Sequence, residues 1–204
     1  MKKLIAHRGL KNDSKENTIS AFKEAIANDN YAGFECDIRT TKDKIFIINH
    51  NPMIDLDIIS LTDYKTLKQK YNTVTLEDVL KLNTSKIILL EIKENNIDIK
   101  KFQNLIQKYN NKNIYIMSFF NSVIKKMYSN KKNEKLGVLN YVLNSEENYD
   151  NYDFICLLEN IMSEKLEDFF IKKQKEVMIY GIHNLKKDIN IYKNSYFITD
   201  DIIK

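Results

Sequence analysis

The sequence has few of the residues that mark linkers and disulfide frameworks. Its 204 residues include one proline, four glycines and two cysteines. No segment therefore has the composition of a flexible linker or a low-complexity tract. Cys36 and Cys156 form no spaced metal or redox motif, and two thiols are too few for a disulfide framework. A reducing cytoplasm is the expected location.

Long apolar runs and clustered charge are also lacking. No apolar run approaches the roughly 18–20 residues of a membrane span, and charge returns at Arg8, so we expect neither a transmembrane anchor nor a signal peptide. The net charge of +4 comes from lysines interleaved with acidic residues. Because they form no basic stripe, we expect no nucleic-acid partner. The oligomeric state stays open.

The composition is that of a globular protein with one substantial core. Hydrophobic residues make up 43% of the chain and charged residues 29%, which fits neither disorder nor a fibrous repeat. A chain of this length suits one domain better than two. We therefore expect residues 1–204 to form a single domain.

Short β-branched and aromatic runs alternate along the chain with segments of helical periodicity. The predicted strands cover residues 3–7, 33–38, 45–49, 86–92, 113–117, 135–139, 153–157, 177–182 and 196–199. Helices are expected between most of them, with capping signals at Thr18 and Thr75. This alternation predicts an α/β fold, a somewhat irregular (β/α)8 TIM-type barrel, with an open doubly wound sheet as the alternative.

The link between the second and third strands is too short for a helix. Ile38 and Ile45 are separated by a few residues only, so a β-hairpin is expected there. A turn centred near Asp43-Lys44 would place Asp37 opposite His50, to within a residue or two.

Acidic side chains share faces of two predicted strands. Glu35 and Asp37 are two residues apart on one strand, and Glu91 and Lys93 are two apart on another, so each pair points to one side. Three carboxylates from rigid strands are hard oxygen ligands of the kind that Mg²⁺ or Ca²⁺ takes. The sequence thus predicts a site for one divalent cation that leaves positions open for water and a phosphate oxygen.

Basic and imidazole groups add to this inventory. Arg8 offers a planar fork that matches two phosphate oxygens, and Gly9 lets the backbone approach closely at the end of a strand. His7 and His50 could exchange protons with attacking and leaving oxygens. His183 follows a late strand and is either a satisfied polar residue or part of a substrate pocket. Together these groups indicate metal-assisted phosphate chemistry.

In its order along the chain, this set of motifs resembles the glycerophosphodiester phosphodiesterase family, a branch of the phospholipase-C-like barrel phosphodiesterases. The similar segments are His7-Arg8-Gly9, Glu16-Asn17-Thr18, Glu35-x-Asp37, Thr41-Lys42-Asp43, His50, Thr75-Leu76-Glu77-Asp78, Leu90-Glu91-Ile92-Lys93, Ser118-Phe119 and Ile198-Thr199-Asp200.

The resemblance implies a role for each residue singled out. It implies that Glu35, Asp37 and Glu91 are the divalent-metal ligands. It implies that His7 and His50 are the general acid/base pair, with either residue in either role.

The resemblance also implies the phosphate contacts and the reaction. Arg8 and Lys93 would contact phosphate or substrate, with His183 as a further substrate residue. The implied reaction is hydrolysis of a glycerophosphodiester to sn-glycerol 3-phosphate and an alcohol, a step of glycerol and lipid metabolism. The nucleophile is either water or a neighbouring substrate hydroxyl that acts through a cyclic phosphate.

Several positions depart from the family pattern. Asn51 follows His50 where aspartate is usual, and Lys15 stands where proline commonly precedes Glu16. The segment 180–183 also differs, so the preferred head group is left open. The short segment between His50 and Glu91 leaves little room for an inserted cap, which suggests an open pocket.

Two other functions are compatible with the same residues. One is a barrel without turnover that binds a phosphate-bearing ligand or a partner. The other is a related phosphodiesterase that acts on lipid head groups, for which peripheral contact with lipid would call for an exposed apolar rim.

Overall fold

Eight parallel strands close into a barrel in the computed structural model, which describes residues 3–12, 14–109, 112–144, 147–182 and 185–201. The strands are, in chain order, β1 (Leu4–Ala6), β2 (Tyr31–Thr40), β3 (Phe46–Ile48), β4 (Met53–Ile54), β5 (Asp57–Ile58), β6 (Ile87–Ile92), β7 (Ile114–Ser118), β8 (Lys135–Asn140), β9 (Phe154–Leu158), β10 (Glu176–Tyr180) and β11 (Tyr196–Thr199). Strand β1 pairs in parallel with both β2 and β11, and this pairing closes the ring formed by β1, β2 and β6 to β11. The TIM-type barrel is thereby confirmed over the open sheet.

Helices connect most of the barrel strands. They are α1 (Ile19–Ala27), α2 (Tyr64–Tyr71), α3 (Leu76–Leu80), α4 (Ile99–Gln107), α5 (Asn121–Met127), α6 (Glu164–Lys172) and α7 (Leu185–Ile191). The predicted caps are confirmed, because the Thr18 hydroxyl accepts from the backbone at the start of α1 and Thr75 forms a capping box with Asp78 at the start of α3. None of the helices in the described ranges is long and apolar enough to cross a membrane.

The hairpin between β2 and β3 is confirmed, but its register differs from the prediction by one residue. Ile38 pairs with Ile48, and the backbone N–H of Asn49 donates to the carbonyl oxygen of Asp37 at 3.0 Å. Asp37 therefore lies opposite Asn49, one residue from His50 and within the range that the sequence predicted.

The turn of this hairpin explains the difference in register. The Thr41 N–H donates to the Ile45 carbonyl at 2.9 Å, so the loop between them has three residues and is centred on Asp43. Lys44 closes that loop in the left-handed conformation, with φ +64°, as in three-residue hairpins that combine a type I turn with a left-handed residue. A turn centred between Asp43 and Lys44 would have shifted every pair by one.

The barrel has one apolar layer inside the ring and another between the strands and the surrounding helices. The alternation of side chains along each strand produces the two layers. The inner layer is made by buried residues of seven of the strands, which are Ile5, Ile87, Leu89, Tyr115, Met117, Leu139, Phe154, Cys156, Met178 and Ile198. Cys36 belongs to the outer layer, on the opposite face of β2 from Glu35.

Polar groups close the amino-terminal end of the barrel. The Lys135 ammonium donates to the Tyr115 hydroxyl at 2.8 Å and to the Glu176 carboxylate at 2.5 Å. The cluster of carboxylates and imidazoles lies at the other end of the barrel, where the strands of such barrels present their functional side chains.

Close packing at Gly137 provides a test of the barrel interior. A Cβ added to Gly137 would lie 2.4 Å from ring atoms of Phe154, whose ring centroid is 5.4 Å from that of Tyr115. We expect Gly137→Ala to lower the free energy of unfolding by about 1–3 kcal/mol, the usual cost of overpacking. Urea denaturation measures this change.

The double variant Gly137→Ala/Phe154→Leu is the control. Because the smaller leucine makes room for the added methyl group, its destabilisation should be less than the sum of the two single effects. Additive effects would show that Gly137 and Phe154 are not in close contact.

Candidate active site

Three buried carboxylates converge at the carboxyl ends of β2 and β6. Glu35, Asp37 and Glu91 are 1%, 0% and 7% exposed, and Asp37 is the register partner of Glu91. One carboxylate oxygen from each residue lies within 4.8 Å of the others. The spacing of two residues along β2 and the parallel pairing with β6 place all three on the inner face.

Burial and repulsion from neighbouring carboxylates disfavour the charged forms of Glu35 and Glu91. Burial raises the pKa of Glu35 well above its usual range, and the neighbouring charges of Asp37 and Glu91 raise it further. Burial also raises the pKa of Glu91, although the positive charge of Lys93 opposes that shift. The cluster therefore needs positive charge close by in order to stay ionised at neutral pH.

The oxygen atoms of the cluster fit a divalent cation. Glu35 Oε1 and Asp37 Oδ1 are buried and accept no hydrogen bond, which is costly for carboxylate oxygens. Hard carboxylate oxygens grouped in this way are the ligands that Mg²⁺ and Ca²⁺ take. Glu35, Asp37 and Glu91 could therefore hold a metal ion.

Arg8 contacts the cluster through both its backbone and its side chain. Its φ of +56° is in the left-handed region, and its backbone N–H donates to Glu35 Oε2 at 3.0 Å. The guanidinium donates to Glu16 Oε1 at 2.8 Å and places Nε 3.2 Å from Asp37 Oδ2. Burial would lower the pKa of Arg8, but the Asp37 and Glu16 carboxylates outweigh it and raise that pKa.

Asn17 is a site residue that the sequence motif Glu16-Asn17-Thr18 contains but to which no role was assigned. Its side-chain amide donates to Asp37 Oδ2 at 2.9 Å, and its backbone N–H donates to the Arg8 carbonyl at 2.8 Å. Like Arg8, it has a φ of +56°, which asparagine tolerates better than most residues. Asn17 thus orients Asp37 and fixes the turn that carries Arg8.

Lys93 supplies a second positive charge from the end of β6. Its ammonium donates to Glu91 Oε1 at 2.6 Å and lies 3.5 Å from Asp37 Oδ1. Arg39 holds the backbone on both sides of the pocket, because its guanidinium donates to the carbonyl oxygens of Lys93 and His50. No motif in the sequence indicated this role of Arg39.

His7 lies between the carboxylate cluster and the end of β11. Its Nδ1 is 3.0 Å from Asp200 Oδ1, and its Nε2 is 4.0 Å from Glu35 Oε2. The hydrogen bond with His7 is the main cause of a strongly lowered pKa of Asp200, and a contact with Lys11 adds to it. Asp200 therefore stays ionised and orients the imidazole. It was predicted from the sequence as part of a motif, without a role.

His50 has an uncharged partner instead. Its Nδ1 lies 3.0 Å from Asn51 Oδ1, the residue that stands where an aspartate is usual in the motif. Because an amide oxygen only accepts hydrogen bonds, this contact assigns the proton of neutral His50 to Nδ1. Nε2 of the neutral ring is then left as a proton acceptor.

The polar residues face a pocket of about 240 Å³. Its lining includes most of the residues predicted from the sequence, which are His7, Arg8, Glu35, His50, Glu91 and Lys93. Asp37 lies behind them in contact with Arg8 and Lys93. The remaining predicted site residue, His183, lies outside the described residues. Five side-chain types suited to binding and cleaving a phosphate ester thus meet at one place.

A protein-family comparison agrees with this geometry. The model of the glycerophosphoryl diester phosphodiesterase family matches residues 7–177. Among curated proteins, no sequence matches the chain at a significant level.

Solved structures with the same fold match nearly the whole chain. A glycerophosphodiester phosphodiesterase from Parabacteroides distasonis has a TM-score of 0.83 and 19% identity, covering 98% of this chain and 92% of that one. One from Thermotoga maritima has a TM-score of 0.77 and 21% identity, covering 98% and 95%. An Oleispira antarctica phosphodiesterase in complex with the product sn-glycerol-3-phosphate has a TM-score of 0.82 and 16% identity, covering 97% and 92%.

The carboxylate cluster predicts a dependence of stability on divalent cations. Adding Mg²⁺ or Ca²⁺ to EDTA-treated protein should raise the Tm, because a ligand at 100 times its Kd stabilises the folded state by about 2.7 kcal/mol. Scanning calorimetry measures the shift. Glu35→Gln should abolish most of the shift, and should raise the Tm in EDTA because it removes one of three repelling charges.

Glu176→Gln is the matched control at the opposite end of the barrel. It removes the same charge far from the cluster, so the metal-induced shift should persist in this variant. An undiminished shift in Glu35→Gln would place the metal site elsewhere.

Proposed function

The chain belongs to the glycerophosphoryl diester phosphodiesterase family, and from this premise we propose a mechanism for the hydrolysis of glycerophosphodiesters in its pocket. The enzyme class follows from the family. The proposal adds that the products are sn-glycerol 3-phosphate and an alcohol, that His7 and His50 transfer protons, and that Glu35, Asp37 and Glu91 hold Mg²⁺ or Ca²⁺. Residues 1–204 would act as one catalytic domain.

The observation that supports the proposal best is the convergence of both histidines and both cationic side chains on the carboxylate cluster. His7 and Arg8 come from the end of β1, His50 follows β3, and Lys93 follows β6. All four line the same pocket of about 240 Å³. General acid/base catalysis of phosphodiester cleavage requires two proton-transfer groups and positive charge around one phosphorus atom.

The charge balance of the pocket explains why a divalent cation belongs in the proposal. Three carboxylates against the side chains of Arg8 and Lys93 leave an excess of negative charge, which would repel an anionic phosphodiester. A bound divalent cation would reverse that sign and polarise a phosphate oxygen. Arg8 and Lys93 would then contact the remaining phosphate oxygens, with the planar fork of Arg8 suited to two of them.

Proton transfer is assigned to the two histidines. As the nucleophile oxygen forms its bond to phosphorus, one imidazole takes the proton of that oxygen. As the bond from phosphorus to the alcohol oxygen breaks, the other imidazole gives a proton to the leaving oxygen. The nucleophile is water or a neighbouring hydroxyl of the glycerol; the hydroxyl route forms a cyclic phosphate, which water opens in a second step with the histidine roles reversed.

Removal of either imidazole tests the assignment of the proton transfers. We expect His7→Ala and His50→Ala each to lower kcat for glycerophosphocholine by about 10²–10⁴-fold. Release of sn-glycerol 3-phosphate is measured with Mg²⁺ or Ca²⁺ and with EDTA, which should stop it. Circular dichroism serves as the control for folding. Release that persists in EDTA, or in both folded variants, would contradict the proposed mechanism.

Asp200 offers a test of a positioning role. Asp200→Asn keeps the shape of the side chain but removes the negative charge beside Nδ1 of His7. We expect kcat to fall at least tenfold, less than for loss of His7 itself, while KM and the metal-induced shift in Tm are unchanged.

The neighbouring exposed Asp201 provides the control, because Asp201→Asn removes the same charge one residue away. It should leave kcat within about twofold, as expected of a surface substitution. Equal losses in the two variants would show that a general effect of charge at this end of the chain, and not the contact with His7, causes the decrease.

A further inference from the structure

A groove between α4 and α5 lies on the outside of the barrel, away from the catalytic pocket. Its volume is about 700 Å³, and its lining consists of three lysines, four side-chain amides and Ile99. No residue of this lining is shared with the catalytic pocket. Sites for small ligands commonly have volumes of about 300–1,000 Å³. The groove therefore has the size of a small-molecule site, and its lining suits a polar molecule.

The lysines of the groove are not neutralised. They are Lys100, Lys126 and Lys132, and all three are exposed. In the described part of the chain, no carboxylate lines the groove and none of the three ammonium groups has an ion-pair or hydrogen-bond partner. Glu134 is close in sequence, but it is 4% exposed and accepts a hydrogen bond from the backbone N–H of Lys132 at 3.1 Å. The groove thus presents positive charge to the solvent.

Other lysines of the same segment are paired. The Lys125 ammonium lies 2.8 Å from Glu147 Oε1, and the Lys131 ammonium lies 2.6 Å from Asp153 Oδ1. Each of these lysines directly precedes one that faces the groove. Like charges that face one groove repel one another. A bound anion would relieve this repulsion in the groove, where no carboxylate does so.

Two glutamine side chains of α4 hold the groove in shape. The side-chain amide of Gln103 donates to the Met127 carbonyl oxygen at 2.8 Å, and that of Gln107 donates to the Asn130 carbonyl oxygen at 3.2 Å. Met127 is the last residue of α5, and Asn130 ends the 3₁₀ turn that follows it. The two sides of the groove are therefore linked before any ligand binds, which lowers the entropic cost of binding.

The helical spacing places an amide beside a lysine on each side of the groove. Asn104 is four residues from Lys100, and Asn130 is four residues from Lys126, so the members of each pair are neighbours on the helix surface. Lysine ammonium and asparagine amide groups both donate hydrogen bonds to anionic oxygens. Two groups of donors thus face each other across the groove, and each suits one phosphate group.

The lining suits larger polyanions less well. None of the exposed large hydrophobic residues in the described ranges lines the groove. Aromatic rings on which the bases of a single-stranded nucleic acid could stack are therefore lacking there, and so are the aromatic anchors of a protein interface. A flat bilayer surface cannot enter a groove between two helices.

We propose that the groove between α4 and α5 binds a small polar molecule that carries two phosphate groups. One phosphate group lies at Lys100 and Asn104. The other lies at Lys126, Asn130 and Lys132. This class includes sugar bisphosphates, in which the two groups are separated, and inorganic pyrophosphate, in which they are adjacent. The inference goes beyond the proposed hydrolysis and does not depend on it.

Calorimetry tests the proposal with fructose 1,6-bisphosphate and inorganic pyrophosphate as probes. The protein is freed of metal with EDTA and dialysed, because the uncompensated carboxylates of the catalytic pocket then repel anions. We expect at least one probe to bind saturably, with one molecule per chain. Lys126→Glu should weaken that binding at least tenfold, because it places a negative charge beside one phosphate group. The stronger of the two probes shows which separation of the phosphate groups the site prefers.

Lys172→Glu is the matched control. Lys172 is exposed and lies in the last turn of α6, as Lys126 does in α5, but it lies outside the groove. This variant should bind the probes as the unmodified protein does, and equal weakening in the two variants would overturn the groove as the site. Both variants should keep kcat/KM for glycerophosphocholine within about twofold, as expected of surface substitutions. Absence of hydrolysis in the unmodified protein would reject the proposed function and leave the binding result to decide this inference.

Two further results would contradict the proposal. One is a failure of both probes to bind, or binding that Lys126→Glu leaves unchanged. The other concerns single-stranded RNA and vesicles that contain phosphatidylglycerol, whose binding is measured alongside. If one of these binds and Lys126→Glu weakens its binding while neither probe binds, the groove belongs to a larger polyanion and the proposal is overturned.

Discussion

The burial of three carboxylates side by side is the constraint on which the site depends. Glu35, Asp37 and Glu91 are almost inaccessible to water, and ionised groups in such surroundings are stable only with charge partners and hydrogen bonds. The surrounding contacts supply both. Arg8 and Lys93 bring positive charge, and backbone and amide N–H groups donate to oxygens of Glu35 and Asp37. The oxygens that still lack donors are the ones at which we propose a cation.

The loop after β1 has an unusual backbone conformation at two residues that contact these buried carboxylates. Arg8 and Asn17 both have left-handed backbone conformations, which cost a non-glycine residue about 1–3 kcal/mol. The Arg8 conformation aims a backbone N–H at Glu35, and the Asn17 conformation accompanies an amide contact with Asp37. Gly9, with φ +84°, has no room for a Cβ because Ala21 of α1 would lie 2.7 Å away. The strained backbone conformations of Arg8 and Asn17 thus occur at residues that donate hydrogen bonds to Glu35 and Asp37.

The sequence predicted those parts of the fold and site that depend on local patterns. All nine expected strands are present, because each was a β-branched or aromatic run bounded by polar residues. The placement of Glu35 and Asp37 on one face of β2 followed from the two-residue repeat of a strand. The hairpin register was missed by one residue, since it depends on the left-handed conformation of Lys44, and nothing in the residue type of a lysine indicates that conformation.

Contacts between distant parts of the chain could not be predicted in the same way. The hydrogen bond of His7 with Asp200 joins residues at opposite ends of the sequence, and only closure of the barrel brings β1 beside β11. The role of Arg39 likewise depends on the ends of β3 and β6 lying on either side of β2. A sequence motif can identify such residues, but the topology of the barrel determines which residue each of them contacts.

The two histidines differ in how they are held, and this difference follows from the same topology. His7 is oriented by the carboxylate of Asp200, whose Oδ1 lies 3.0 Å from its Nδ1. His50 has the neutral Asn51 beside its ring and is fixed through its carbonyl oxygen by two hydrogen bonds from Arg39. Its placement therefore depends on the backbone after β3. The mechanism we propose needs one imidazole as the acid and the other as the base, and the unlike partners of the two rings, a carboxylate and an amide, accord with two different roles.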